Sequence, residues 1–211
     1  MKSQKPLMLV SVLVLGAAAV FLWRHFSPRT VNLKPSAAVG ELLAHEAGQL
    51  AGPSGKVVLL SRPVDPKETD ANGERVHAFM TTLRRQAGVT LVAEWAPRQA
   101  GVMDVGAVST EQFVTALERH PDAKVLLVFA GLPAWSQDLA GKISARSLKV
   151  VAVCGYGDNV RRWLESGSLA LAAVPRFDAP PENVPAPQPP RDWFDREFLM
   201  VRPDTVSQLP F

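Results

Sequence analysis

In the stretch Val125-Leu-Leu-Val-Phe-Ala-Gly131, every residue before the closing glycine is apolar, and no polar residue alternates with the apolar ones. Two other runs, Lys56-Val-Val-Leu-Leu60 and Lys149-Val-Val-Ala-Val-Cys-Gly155, share this character. A strand that is apolar at nearly every position is buried on both faces, as happens in a parallel sheet with helices on either side. The three runs therefore predict an α/β fold whose ligand or chemistry lies beyond the carboxyl ends of the strands.

The segments around these runs complete a regular alternation of strands and helices. Helices are predicted at about residues 36–50, 73–87, 109–120, 133–143 and 158–167, and further strands at 89–95, 169–174 and 197–201. Ser109 and Gln112 have the spacing of a helix capping box. Because crossovers between parallel strands are right-handed, this order predicts an open, doubly wound, mostly parallel sheet of five to six strands flanked by helices.

The composition is that of one globular domain with appendages, because the chain has 211 residues, 47% of them hydrophobic. The 23 basic residues give a formal net charge of +3 and are scattered, with no basic stripe interleaved with aromatic residues, so we expect no nucleic-acid partner. The single cysteine, Cys154, excludes an intrachain disulfide.

The amino terminus contains an uncharged apolar run over residues 6–23, with Lys2 and Lys5 before it and Arg24 after it. As a helix, this run would span about 27 Å, close to the hydrocarbon thickness of a bilayer. It fits a single transmembrane anchor or a cleavable signal peptide, and its continuation to Trp23 favours the anchor. We therefore expect a single-pass protein of the inner (cytoplasmic) membrane whose domain faces the periplasm or the cell exterior.

The chain divides into four parts. We assign residues 1–26 to the membrane anchor or signal peptide, 27–55 to a linker and short helix, 56–178 to the α/β domain and 179–211 to a proline-rich tail with an edge strand. Six prolines lie between residues 180 and 190, which favours an extended, polyproline-like connector at the start of this tail.

Several segments of the α/β domain carry a family resemblance. Residues 75–83, 89–94, 113–130, 149–156 and 164–174 are similar to successive elements of a type 1 periplasmic solute-binding protein, the sugar-binding kind related to the LacI regulators. The carboxy-terminal lobe of that family fits best. The resemblance implies the fold and lineage of a solute-binding lobe, for which a small polar solute such as a sugar is a candidate ligand. Three features depart from the family: Gly131-Leu132-Pro133 replaces its polar turn, Gly157 displaces the expected aspartate to Asp158, and a second lobe has no room in this chain. The resemblance therefore does not imply affinity for a sugar.

The candidate ligand-binding residues follow the predicted strands, because the carboxyl ends of parallel strands meet at one edge of the sheet. They are Arg62, Asp65, Trp95, Trp135, Tyr156, Asp158 and Arg176. The acidic loop around Asp65 lacks the spacing of a metal-binding loop, and the turn at 155–159 lacks the third glycine of a dinucleotide fingerprint. We therefore expect neither a metal nor a cofactor.

Three functions fit this sequence. The leading interpretation is a non-enzymatic, membrane-anchored binding or interaction domain that has lost the usual ligand groups and works with a protein partner or a second copy. A hydrolase on a flavodoxin-like sheet is the alternative; it requires a histidine or carboxylate within reach of Cys154, Ser61 or Ser136. A structural envelope protein is the third interpretation, with the proline-rich tail as its docking segment.

Overall fold

The computed structural model describes residues 32–64, 70–95, 107–155, 158–178 and 189–209, and for Asp158 the backbone alone. The predicted membrane segment at residues 6–23 lies outside these ranges. Among the helices that are described, none combines the length and the apolar character needed to cross a membrane.

The described residues form one α/β sheet with helices on both faces. Its strands are β1 (Lys56–Ser61), β2 (Thr90–Trp95), β3 (Val125–Val128), β4 (Lys149–Val153), β5 (Leu169–Pro175) and β6 (Phe198–Val201). The helices are α1 (Lys34–Ala51), α2 (Ala71–Arg84), α3 (Thr110–Arg119), α4 (Gln137–Ala145), α5 (Asp158–Glu165) and α6 (Pro190–Glu197), and a 3-10 helix covers Pro203–Gln208.

The strand order is β2-β1-β3-β4-β5-β6, and the first five strands are parallel. The predicted edge strand is present as β6, which pairs antiparallel with β5. The prediction of a mostly parallel sheet of five to six strands flanked by helices is therefore confirmed. We call the end of the sheet where β1 to β5 finish the carboxyl edge, and the end where they begin the amino edge.

Each face of the sheet packs against its own hydrophobic core, as the uniformly apolar strands require. The core beneath α3, α4 and α5 contains Phe113 and Trp163, whose ring centroids are 5.8 Å apart. The core beneath α1, α2 and α6 contains Leu43 and Phe79. Successive strand residues alternate between the two cores, so β1 residues Val58 and Leu60 face the first core while Val57 and Leu59 face the second.

Helix α1 lies tightly against α2. A Cβ atom at Gly40 would lie 2.3 Å from the backbone oxygen of Arg75 and 2.9 Å from the backbone nitrogen of Phe79. Only glycine permits this approach of the two helices. The amide Nε2 of Gln86 donates a hydrogen bond to the Ala44 oxygen further along the same contact.

Helices α3 and α4 each begin directly after a serine whose side chain accepts a hydrogen bond from the first turn. Ser109 and Gln112 form the predicted capping box at the start of α3, with both hydrogen bonds 3.1 Å long. Helix α4, expected from Pro133, instead begins at Gln137 with Ser136 as its cap. The difference arises because residues 131–136 form an extended loop that is hydrogen-bonded to α5.

Candidate functional site

The carboxyl edge brings a short row of side chains together on the face covered by α1 and α2. Ser61 is in register with Trp95 of β2, and the backbone nitrogen of Phe129 donates to the Leu60 oxygen at 2.9 Å. Because alternate residues of a strand share a face, Trp95, Ser61 and Phe129 lie side by side across β2, β1 and β3. Phe129 belongs to the core on this face.

Ser61 is the polar residue at the centre of this row. Its exposed fraction is 0%, and among the described residues its Oγ has no hydrogen-bond partner. A buried hydroxyl without a partner costs about 1–3 kcal/mol. Such atoms are rare in folded proteins, so Ser61 is a candidate site for a bound water or a ligand group.

Arg75 lies above this row, in the second turn of α2. Its guanidinium carbon is 5.7 Å from the centroid of the Phe129 ring, and its buried Nε also lacks a hydrogen-bond partner. Burial lowers the pKa of Arg75 from its ordinary value, and the negative charge of Asp70 opposes this effect. An arginine remains protonated in proteins, so the charged guanidinium is held against an aromatic ring with a hydrogen-bond donor unused.

Asp70 supplies an acceptor at the same edge. It caps α2, and its Oδ1 accepts a hydrogen bond from the Gly73 nitrogen at 2.5 Å. The carboxylate keeps its second oxygen, so the edge offers both donors and acceptors. Trp95 adds an aromatic surface, since its exposed fraction is 45%.

The predicted site residues have different surroundings. Trp95 and Arg62 lie at the carboxyl edge, and Arg62 directly follows Ser61 and is half-buried. Arg176 contacts the tail instead: its Nε donates to the Phe198 oxygen at 3.1 Å. Asp65, Tyr156 and the side chain of Asp158 lie outside the described residues.

Trp135 is held against α5. Its backbone nitrogen donates to Oδ1 of Asn159 at 2.7 Å, and its indole Nε1 donates to Oγ of Ser166 at 3.1 Å. Asn159 Nδ2 and Trp163 Nε1 both donate to the Pro133 oxygen, at 3.0 Å and 3.1 Å. The loop over residues 131–136 is therefore fixed to α5 through its backbone.

The three candidate nucleophiles have no catalytic partner in the described part of the chain. Ser136 Oγ accepts a hydrogen bond from the Leu139 nitrogen as a helix cap, and Ser61 Oγ has no partner. Cys154 is buried, and this burial raises the pKa of its thiol to about 12. The described His, Cys, Asp and Glu side chains also contain no group of three that could hold a metal ion.

Arg75 and Phe129 were not predicted to belong to the site, whereas Ser61 was predicted to lie at the carboxyl edge and was also considered as a nucleophile. The sequence contains one signal for Arg75: it directly precedes Val76, which lies with Phe79 in the buried stripe of α2. An arginine beside such a stripe is a candidate for a half-buried charge. The missing partner of Ser61 has no sequence signal, because it depends on what packs above β1.

The fold resembles one lobe of the type 1 periplasmic binding proteins of sugar transporters. No protein-family model matches the sequence, and no curated protein matches it significantly. The likeness is therefore one of fold. It agrees with the single-lobe resemblance expected from the sequence.

Three solved structures illustrate the likeness. AraP, an arabinose-binding protein from Geobacillus stearothermophilus, has a TM-score of 0.57 at 14% identity, covering 83% of this chain and 63% of that one. GanP, a glucose-galactose binding protein from the same organism, has a TM-score of 0.52 at 15% identity, and the match covers 83% of this chain and 62% of GanP. A sugar-binding protein of a Bacillus halodurans sugar transporter has a TM-score of 0.56 at 12% identity, and the match covers 82% of this chain and 64% of that protein. The match thus spans less than two thirds of each of these proteins.

Proposed function

We propose that this chain is a membrane-anchored, extracytoplasmic binding domain that holds a small, hydroxyl-rich solute at its carboxyl edge. The observation that carries the proposal is a pair of buried, unpartnered polar atoms near Phe129: Ser61 Oγ on the neighbouring strand, and Nε of Arg75, whose guanidinium lies over the Phe129 ring. A solute reaches them by displacing the groups that cover them. A solute hydroxyl can both donate and accept a hydrogen bond, so it can satisfy either atom.

The chemistry of the edge favours a neutral polyol over an anion. Arg75 supplies donors, but Asp70 acts on it as a nearby negative charge. Asp70 offsets part of the positive charge of Arg75, which reduces the attraction of this position for an anion. Aromatic surfaces at Phe129 and Trp95 suit the apolar faces of a sugar ring. Two of the similar structures are an arabinose-binding and a glucose-galactose binding protein, which supports a sugar-like ligand.

A single lobe covers one side of such a ligand. Because the match spans about three fifths of the similar structures, we propose that a protein partner or a second copy of this chain covers the other side. A binding site usually buries 70–90% of its ligand, so the single lobe alone predicts weak affinity.

The ligand site is tested by calorimetric titration of the full chain in nanodiscs with arabinose, glucose, galactose and ribose. Ser61→Ala should weaken binding of the preferred sugar about five- to tenfold, corresponding to one lost hydrogen bond, without lowering the melting temperature. Arg75→Met should weaken binding further. Arg162→Met is the matched control, because Arg162 is exposed on α5, which covers the other face of the sheet.

Unchanged affinity in both Ser61→Ala and Arg75→Met would place the ligand elsewhere. An absence of heat with every sugar at millimolar concentration, in the presence of a second copy, would reject a sugar as the ligand.

The anchor is tested separately by alkaline carbonate extraction of membranes from cells that produce the full chain. A chain retained in the membrane pellet, with its domain accessible to protease only from the outer side, is the expected result. Release into the supernatant would contradict the anchor and would leave the ligand site unaffected.

A further inference from the structure

The amino edge carries three lysines at the starts of neighbouring strands. Lys124 N donates to the Lys56 oxygen at 2.9 Å, and Lys149 N donates to the Lys124 oxygen at 3.0 Å. The three backbones are therefore adjacent across β1, β3 and β4, about 5 Å from one strand to the next. We call Lys56, Lys124 and Lys149 the lysine row.

Two members of the lysine row lack a counter-charge. Lys56 Nζ forms an ion pair with Asp122 at 2.9 Å. Lys124 and Lys149 are exposed, and within the described ranges neither forms an ion pair. Lys56 and Lys124 lie on the sheet face covered by α3, α4 and α5, whereas Lys149 is in register with Val125 and lies on the opposite face. The three side chains extend from the same end of the sheet, where their positive charges add.

The surroundings of the lysine row add positive charge and one exposed apolar side chain. Arg84 and Arg85 are exposed at the end of α2, five to six residues before β2 begins. Leu50 lies near the end of α1, six residues before Lys56, with an exposed fraction of 37%. The exposed acids described at the amino edge include Glu118, Asp122 and Glu165; Asp122 is paired with Lys56, and Glu165 lies 4.0 Å from Arg161.

We propose that the lysine row, with Arg84, Arg85 and Leu50, binds an anionic phospholipid surface. Lysine is a point charge on a flexible stem, which suits diffuse attraction to headgroups better than the paired geometry of one specific carboxylate. Leu50 can enter the boundary between headgroups and acyl chains. The large exposed apolar residues in the described part of the chain include Trp95 and Phe177, and both lie at the opposite, carboxyl edge. The amino edge therefore lacks the aromatic anchors that a protein interface or stacked nucleic-acid bases would use.

The proposal is independent of the solute site, which lies at the other end of the sheet. It is tested with a fluorophore on Ser54→Cys, an exposed turn position two residues before Lys56. The native Cys154 does not compete for the label, because it is buried. The full labelled chain is added to vesicles of phosphatidylcholine alone or with about 30% phosphatidylglycerol, so the apolar amino-terminal run is present in both.

We expect a blue shift of the fluorophore only with phosphatidylglycerol, and its loss in about 0.5 M salt. The double variant Lys124→Gln, Lys149→Gln should weaken the apparent affinity about 25-fold, at roughly fivefold for each lysine near the surface. The control is Lys34→Gln with Arg191→Gln, which removes the same charge from α1 and α6. Lys34 is at the far end of an 18-residue helix from the lysine row.

Three results would overturn the proposal. They are equal shifts with both vesicle types, an equal loss of affinity in the control variant, and a shift produced by soluble polyglutamate but not by the vesicles. The last result would indicate an acidic protein as the partner.

Discussion

Asn159 joins α5 to the loop after β3 by accepting a hydrogen bond from the backbone nitrogen of Trp135 at 2.7 Å. Its amide nitrogen donates to the Pro133 oxygen at 3.0 Å, so one side chain satisfies two backbone groups of an extended loop. These two bonds explain why the loop does not continue α4 towards Pro133. They also fix the backbone of the loop between β3 and α4.

Removing this amide should destabilise the domain. Asn159→Ala leaves the Trp135 nitrogen without its acceptor, and we expect a loss of about 1–3 kcal/mol in the free energy of unfolding. Urea denaturation followed by tryptophan fluorescence measures the loss. Gln137→Ala is the control, because that amide is exposed on α4 and should change the stability by less than about 0.5 kcal/mol. Equal effects of the two variants would show that the hydrogen bonds of Asn159 contribute nothing to the stability of the domain.

The contact between α1 and α2 predicts opposite effects for two glycine substitutions. In Gly40→Ala, the new Cβ would lie 2.3 Å from the Arg75 oxygen, so the helices must separate, at a cost of about 1–3 kcal/mol. In Gly141→Ala, no atom lies within 4 Å of the new Cβ, and α4 should gain about 0.5–1 kcal/mol. Melting temperatures of the two variants would therefore move in opposite directions from that of the unsubstituted chain.

A Gly40→Ala variant as stable as the unsubstituted chain would mean that α1 and α2 can separate without loss. The solute site provides a second measurement, because Arg75 is part of the same contact. We expect sugar affinity to fall in Gly40→Ala and to remain unchanged in Gly141→Ala.

The sheet could be predicted from the sequence because burial on both faces leaves a direct trace in it. The central residues of β1, β3 and β4 are all apolar, and the strand bounds agree with the prediction to within two residues at either end. The start of α4 could not be predicted, since Pro133 is a strong signal for a helix start and only a residue 26 positions away contradicts it.

The candidate site was less predictable than the fold. Position at a strand end identified Trp95 and Arg62 but could not show that Arg176 bonds to the Phe198 oxygen of the tail. Ser61 and Arg75 matter because of polar atoms that remain unpartnered after packing. That property belongs to the tertiary structure, and a single sequence does not contain it.

Glu94 predicts a pH-dependent contribution to stability. The hydrogen bond with His120 at 2.9 Å is the largest cause that lowers the pKa of Glu94 below its ordinary value of 4.5, and Arg119 adds to it. A carboxyl with a lowered pKa in the folded state stabilises the fold above its unfolded pKa, and the effect disappears as the pH falls through the folded value. Glu94→Gln should therefore cost up to about 1 kcal/mol at neutral pH.

Urea denaturation at about pH 7 and about pH 3 checks this pH dependence. The difference in unfolding free energy between Glu94→Gln and the unsubstituted chain should shrink at the lower pH. Asp138→Asn is the control, because its ion pair with Lys142 is exposed on α4. A difference that stays constant between the two pH values would contradict the role of the Glu94 carboxylate.

Cys154 should be unreactive while the domain is folded. Burial raises the pKa of its thiol from 9.0 to about 12, and only the thiolate attacks a disulfide reagent. At about pH 8, labelling of the native chain should proceed only through unfolding, and its rate should rise steeply with urea. The exposed thiol of Ser54→Cys should react within seconds under the same conditions. Prompt labelling of Cys154 in the native chain would mean that the carboxyl end of β4 is open to solvent, and would restore that thiol as a candidate nucleophile.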